Sequence, residues 1–428
     1  MVIHVVKQGE TIYSIAKEYN TTPNRIIEDN ELTNPNELVV GQTIVILYPK
    51  TIYTVEEGDT LLSVARKYGI SVINLLQNNP GLADFPYLYV GQQLVINYEG
   101  DKIGSMEVNG YLYPYIDTDT LVKTLPYLTY ITVFTYGFTP EGELIGIDDE
   151  RVIQLARDYG VAPLMLISTL TSEGSFSNVL ANQILNDKQA QDRLIENILA
   201  NLKAKQYYGL DIDFEYIYPD DRQAYIEFVD NVTTKLNAEG FKVIVALAPK
   251  IAADQPGLLY EGHDYRELGE VANNVLLMTY EWGYTYGPPM AVAPINKVRE
   301  VLDYAVTEIP PDKIFMGVPN YAYDWALPYI KGESRAKSLG NVAAVEQAVQ
   351  YGATIYFDEL AKTPYYYYKK ADGVEHVVWF EDARSINDKL LLVKEYGFNG
   401  VSYWNIMKYF PQNWIVLNSL YNIEKVLE

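Results

Sequence analysis

Apolar positions follow two different periods along this 428-residue chain. In the first hundred residues, Ile12, Ile15, Ala16 and Tyr19 recur at helical spacing. Thr22-Pro23 then supplies an N-cap and a first-turn proline for a second helix. Short apolar runs lie on either side, so the segment reads strand, helix, helix, strand. The same order returns at once. Val6, Gly9, Thr11, Ser14, Ala16, Tyr19 and Asn30 recur as Val55, Gly58, Thr60, Ser63, Ala65, Tyr68 and Asn79, each 49 positions on. After one inserted residue, Leu38, Val40, Gly41, Gln42 and Ile46 recur as Leu88, Val90, Gly91, Gln92 and Ile96. Residues 2–48 and 51–98 are therefore expected to be two copies of one module, each with its own small core.

A short polar joint at 99–105 leads into a larger domain, expected over 104–428. Strand-like segments recur at 106–114, 128–136, 161–168, 207–215, 242–249, 274–281, 313–319 and 398–404, with helical patterns between them. The stripe Tyr225, Phe228, Val229, Val232, Leu236 is one such helix. Eight strand–helix units predict an α/β fold, a (β/α)8 TIM barrel. No glycine turn suited to phosphate supports an open doubly wound sheet. The connection from strand 7 to strand 8 is too long for a helix alone. It holds strand-like pieces at 354–357, 365–368 and 376–380, which predicts a small α+β insertion at about 325–382.

Candidate chemistry concentrates on strand 4. Asp211, Asp213 and Glu215 alternate with Leu210, Ile212 and Phe214. Successive side chains of a strand point to opposite faces, so the acids share one face. Their mutual repulsion raises at least one carboxyl pKa, which makes a proton donor at neutral pH. A solvated edge strand would carry such acids too. The flanking Tyr207, Tyr208, Gly209 and Tyr216 are not the lysines and prolines that guard an edge. In a barrel the strands' C-terminal ends carry the catalytic groups, and Glu215 falls at that end.

Composition narrows the partners. A net charge of −23 argues against nucleic acid or an anionic membrane surface. No run approaches a membrane span, and the start is too poor in apolar residues for a secretory signal. Cysteine is absent, so there is no disulfide or thiolate site. The 39 tyrosines offer flat apolar faces with hydroxyls, suited to sugar rings. His4, His263 and His376 lack ligand spacing, so neither a metal nor a cofactor is expected, and the chain is expected to be monomeric.

Each repeat resembles the LysM module, through Gly-Glu/Asp-Thr near its start and Val-Gly-Gln before its last strand. LysM modules bind N-acetylglucosamine glycans such as peptidoglycan and chitin, in a groove between the first strand–helix loop and the second helix–strand loop. The resemblance draws in Gly9, Thr11 and Asn30, with Gly58, Thr60 and Asn79, as glycan-binding candidates. Two weak sites on one chain gain by avidity on a polymer.

The acidic strand resembles the family 18 glycoside hydrolases, whose motif is Asp-x-x-Asp-x-Asp-x-Glu. Tyr208 stands at the first position, while Asp211, Asp213 and Glu215 match. Met278-Thr279-Tyr280-Glu281 resembles the family's Met-x-Tyr-Asp, with Glu in place of Asp. Trp404 falls where the family's strand 8 Trp floors the sugar pocket. Pro319-Asn320-Tyr321 resembles the strand 7 segment, with Tyr323 where an Arg is frequent. Ser168-Thr169-Leu170-Thr171 replaces the Ser-x-Gly-Gly of many chitinases. The resemblance implies catalytic roles for Glu215, Asp213, Asp211 and Tyr280. Trp404, Tyr321, Glu281, Trp282, Tyr111 and Asn320 join the expected substrate-binding set. It also implies a retaining, substrate-assisted mechanism in which the sugar's acetamide oxygen attacks and Glu215 serves as acid, then base.

The whole chain is similar to the family 18 enzymes that act on spore peptidoglycan in spore-forming Firmicutes. Segments 280–289, 379–385 and 410–414 carry that likeness. It implies N-acetylglucosaminidase activity on cortex or its fragments, and a spore-associated protein made without a signal peptide. A chitinase or chito-oligosaccharide hydrolase is the alternative, and a non-catalytic glycan-binding coat protein a second one.

Overall fold

The computed structural model describes residues 1–83, 87–171 and 174–427. Each repeat folds as expected into two antiparallel strands with two helices between them. In the first copy Val2–Val5 pairs with Thr43–Ile46 around helices Ile12–Glu18 and Pro23–Asn30. In the second, Pro49–Thr54 pairs with Gln93–Tyr98 around Leu61–Tyr68 and Val72–Asn78. Thr11 and Thr60 cap their helices, and each forms a reciprocal capping box with the serine three residues on.

The larger domain is the anticipated barrel. Its parallel strands are Gly104–Leu112, Tyr130–Phe138, Ala162–Ser168, Gly209–Asp213, Lys242–Leu247, Asn274–Leu277, Ile314–Pro319 and Gly400–Trp404. Strand 1 pairs with both strand 2 and strand 8, which closes the sheet. Leu210 and Ile212 of strand 4, and Phe214 just after it, pack outward against the helices. The interior is filled by large side chains, among them Tyr130, Leu164, Leu166, Ile244 and Phe315. The alternation read in the sequence thus separates an apolar outer face from an acidic inner one. Strand 4 is shorter than expected and ends at Asp213. Glu215 lies in the turn that follows, next to Tyr216 with a φ of 58°.

Between strands 7 and 8 sits a five-stranded antiparallel sheet, Lys337–Leu339, Ala322–Leu327, Glu375–Trp379, Thr363–Lys369 and Tyr356–Asp358 in spatial order. Helix Asn341–Tyr351 covers one face, packing Ala344 and Ala348 on Tyr366 and Val378. The sheet begins at Ala322 rather than near 325. The sequence pattern missed its first two strands: Ala322–Leu327 begins only two residues after strand 7, and Lys337–Leu339 is three residues long.

The repeats have separate cores, yet neither stands apart from the barrel. Val45 and Leu47 of the first copy belong to the barrel's own core cluster. The Ile355 amide donates to the Val40 carbonyl at 2.9 Å. Gln412 donates to the Thr43 carbonyl at 2.7 Å, and Glu31 accepts from both Lys123 and Tyr409. In the second copy, Gln77 donates to the Pro126 carbonyl and its own carbonyl accepts from Tyr127. The two copies also touch, through the Tyr98 hydroxyl on Asp29.

Gly41 and Gly91 occupy the same place in the two copies, with φ of +88° and +86°. A Cβ on Gly41 would fall 1.9 Å from the Ile355 carbonyl oxygen, whereas one on Gly91 would meet nothing within 4 Å. Gly91→Ala should therefore cost only the left-handed backbone penalty, about 1 kcal/mol. Gly41→Ala should cost more, because it also pushes the first module off the barrel. Urea midpoints of the two full-length variants measure this; equal losses would show that the contact does not stabilise the chain.

Candidate active site

The site is built from the C-terminal ends of the barrel strands. Asp213 at the end of strand 4 and Glu215 in the turn after it line one pocket with Tyr280 and Glu281 after strand 6, Tyr111 from strand 1 and Trp404 from strand 8. Phe134, Phe176 and Met278 complete the wall. Met278 opens the Met-Thr-Tyr-Glu segment already singled out, whereas Phe134 and Phe176 were not among the expected residues. Phe134 lies midway along strand 2 on the inward register, a signal that could have been used. Phe176 reaches the pocket from an irregular segment with no pattern to read.

Asp211 lies deepest, with no exposed surface, and Asp213 is nearly as buried. The Tyr111 hydroxyl donates to Asp211 at 2.5 Å. Burial pushes the Asp211 carboxyl up to about 8, against the lowering effect of that hydrogen bond and with a further rise from Asp213. Burial also raises Asp213. Glu215 is raised well above the usual carboxyl range by burial first, then by the negative charges of Asp213 and Glu281. One buried oxygen of Asp211 and one of Asp213 have no hydrogen-bond partner among the described residues. Burial and the four surrounding carboxylates hold the Tyr280 phenol well above its normal pKa, so it keeps its proton.

Glu281 has φ of +68° and keeps part of its surface open to solvent. Its carboxylate accepts from the Tyr321 hydroxyl and from Tyr323 at 3.1 Å. Tyr323, standing where the sequence comparison expected an arginine, thus still serves the acid. Burial raises the Glu281 pKa and the two hydroxyls oppose that rise. Trp404 is half-buried, edge-on to Tyr111 at 5.5 Å and to Phe134 at 5.0 Å. An adjoining pocket shares Glu281 and Trp404 and adds Asn320, Tyr321 and Tyr323.

Several expected ligands have other work. The Asn320 amide donates to the carbonyls of Asn405 and Lys408, both at 2.9 Å, and so fixes the loop after Trp404. Trp282 packs against the barrel core and lines neither pocket. Asn30 is buried, donating to the carbonyls of Ile26 and Val45 and accepting from the Val45 amide. Asn79 makes the same three bonds to Leu75 and Val95. These two asparagines tie a helix to a strand, and Asn30 also borders a cavity closed by Asn341, Val345 and Gln412. Their recurrence reflects the module's fold, which a repeat alone could not distinguish from binding. Thr11 does line a groove of the first module, bounded by residues 10–13, Pro23, Asn24, Ile27 and residues 35–38. Its hydroxyl also accepts from the Ser14 amide as the helix cap. Gly9 and Gly58 take positive φ in the turns before the caps.

His263 is buried and bonded to backbone at Phe214 and Ala248. His376 pairs with Asp324 and His4 with Glu10. Among the described residues no cluster of metal-ligating side chains forms, and no helix is long and apolar enough to cross a membrane.

A barrel with this acidic strand, a Tyr-Glu pair after strand 6 and a Trp at the end of strand 8 has the layout of a glycosidase. Residues 110–408 match the glycosyl hydrolases family 18, and residues 4–47 and 53–97 match the LysM domain. The chain belongs to family 18 and is a glycoside hydrolase with two LysM domains. It is 40% identical to the cortical fragment-lytic enzyme of Bacillus subtilis (strain 168), over 99% of both chains. The crystal structure of the Bacillus megaterium QM B1551 spore cortex-lytic enzyme SleL superposes with a TM-score of 0.84 at 39% identity, over 99% of both chains. A chitinase from Chromobacterium violaceum ATCC 12472 aligns at 26% identity and a TM-score of 0.68, over 74% of this chain and 98% of that one.

The Asp211 shift has a consequence for stability. In the unfolded chain an Asp titrates near 3.9, and in the fold this one titrates near 8. Between those values the folded state holds a proton that the unfolded state has lost, so stability falls as pH rises through the window. Asp211→Asn removes that dependence. The Tm of the variant minus that of the wild type should increase from pH 4 to pH 8; a constant difference would show that Asp211 is ionised in the fold.

Proposed function

We propose that the chain hydrolyses N-acetylglucosaminyl bonds of spore cortex peptidoglycan or its fragments, by a retaining, substrate-assisted mechanism. The observation that carries this reading is the grouping of Asp213, Glu215 and Tyr280 on one pocket beside Trp404. The names of the full-length relatives supply the substrate, and the LysM domains favour a polymeric glycan with N-acetylglucosamine.

Glu215 protonates the leaving glycosidic oxygen. Burial first, then the charges of Asp213 and Glu281, raise its pKa well above the usual carboxyl range and favour the protonated form it needs as an acid. The acetamide oxygen of the sugar attacks the anomeric carbon, closing an oxazolinium ring as the leaving group departs. Asp213 accepts from the acetamide N–H through its unpartnered oxygen and balances the ring's positive charge. The protonated Tyr280 hydroxyl donates to the acetamide oxygen. Asp211, held by Tyr111, shares its proton with Asp213 as that charge develops. Glu215, now a carboxylate, deprotonates the water that opens the ring. Trp404 floors the sugar pocket, with Tyr321 and Tyr323 fixing Glu281 at its side.

Among the described residues Glu281 is the one further carboxylate lining the pocket, and its two tyrosine donors make it a poor nucleophile. A fluorosugar trap separates the mechanisms. Intact mass should show no covalent adduct, and a stable mass increase on Glu281 would replace substrate assistance with a two-carboxylate mechanism. Glu215→Gln should lower kcat on cortex fragments at least ~100-fold with KM little changed. A variant keeping a tenth of the wild-type rate would remove Glu215 from the acid role. A thiazoline analogue of N-acetylglucosamine should compete far better than the sugar itself. Mass spectrometry of the products, from cortex fragments against chitin oligomers, decides between the cortex reading and the chitinase alternative.

A further inference from the structure

The face of the insertion sheet turned away from its helix carries aromatic side chains in register; its inner end, at Tyr323, is buried with Val292 and Trp325, and its outer end opens to solvent. Tyr323 pairs with Trp379, Trp379 with Tyr365, and Tyr365 with Tyr356, across four adjacent strands. Directly opposed residues share a face, and here it is the face away from helix Asn341–Tyr351. Tyr365 and Trp379 stack with centroids 4.6 Å apart and planes 22° apart. Tyr356 lies 5.7 Å from Tyr365, and Tyr367 5.9 Å. The row begins at the site, because Tyr323 donates to Glu281. It ends in solvent, where Tyr356 is 50% exposed and Tyr367 49%. At the usual strand spacing the row spans about 14 Å.

We propose that this row is a secondary glycan-binding platform, which holds an uncharged stretch of a polysaccharide strand that extends beyond the cleft. A pyranose presents an apolar C–H face that a tyrosine or tryptophan ring covers, while the phenol hydroxyls meet the ring's polar edge. An exposed aromatic patch that continues from a sugar-cleaving pocket has a ready occupant in the rest of the strand. A second copy of the chain fits poorly, since each copy carries −23 and the two repel. This inference rests on the glycosidase reading but not on the cortex assignment.

The test uses the full chain. Tyr356→Ala/Tyr365→Ala is compared with Tyr356→Phe/Tyr365→Phe, which keeps the rings. Adsorption to peptidoglycan particles and to chitin particles is measured alongside KM on long strands and on a fragment short enough to fill the cleft alone. The alanine pair should weaken adsorption to at least one polymer and raise KM on long strands roughly three- to tenfold. Its kinetics on the short fragment and its Tm should match wild type, and the phenylalanine pair should behave as wild type throughout. Unchanged adsorption and unchanged KM on long strands overturn the proposal, as does an equal loss on the short fragment. A dimer in sedimentation velocity that the alanine pair abolishes also overturns it, by assigning the face to self-association. Adsorption needs no turnover, so a chain that adsorbs but cleaves neither polymer would count against the catalytic reading and leave the platform standing.

Discussion

The removal of strand 4's carboxyls from water is the constraint on which the site depends. An acid in a barrel interior is costly as an anion, so Asp211 and Asp213 are driven toward their protonated forms. The barrel supplies just enough to hold them. Tyr111 caps the deepest acid, Leu210, Ile212 and Phe214 anchor the opposite face of the strand, and Tyr280 closes the top. Glu215 sits past the strand's end, where it combines a raised pKa with access to a pocket. Its position outside the ladder matters, since a residue inside the ladder would have had its side chain fixed among the interior rings.

Much of this arrangement could be read from the sequence because it rests on periodicity. The period-two alternation around Asp211 fixed which side chains share a face, and that phase survives even though the strand stops two residues early. The 49-residue offset exposed the repeat for the same reason. What failed was the separation of fold from binding. Asn30 and Asn79 recur because they tie a helix to a strand, with three backbone bonds each. Asn320, assigned to substrate through its motif, lines the adjoining pocket while its amide holds two carbonyls. Trp282 followed its neighbours into the expected site, although one step along an irregular segment turns a side chain to a different surface.

Contacts between distant segments were hidden altogether. Nothing in the sequence of residues 38–47 says that Ile355 and Gln412 will meet them. Such contacts depend on where the insertion folds back, and no local pattern encodes that. The substitution of Tyr323 for an arginine was visible as a departure. Its meaning needed the structure, which shows the Tyr323 hydroxyl donating to the Glu281 carboxylate.

The docking of the first module changes what the repeats mean for a polymer substrate. A module on a slack linker samples many positions, and its benefit is a diffuse increase in local concentration. Here residues 99–103 are the only chain between the second module's last strand and the barrel's first, and the Glu99 and Ile103 amides are both bonded, to Tyr48 and Leu420. The joint has no slack to let out. A sugar held in the first module's groove would therefore stand at a set offset from the catalytic pocket, as a caliper holds one jaw relative to the other. The spacing between grip and cut becomes a property of the fold, and any insertion in the loop around Gly41 would reset it.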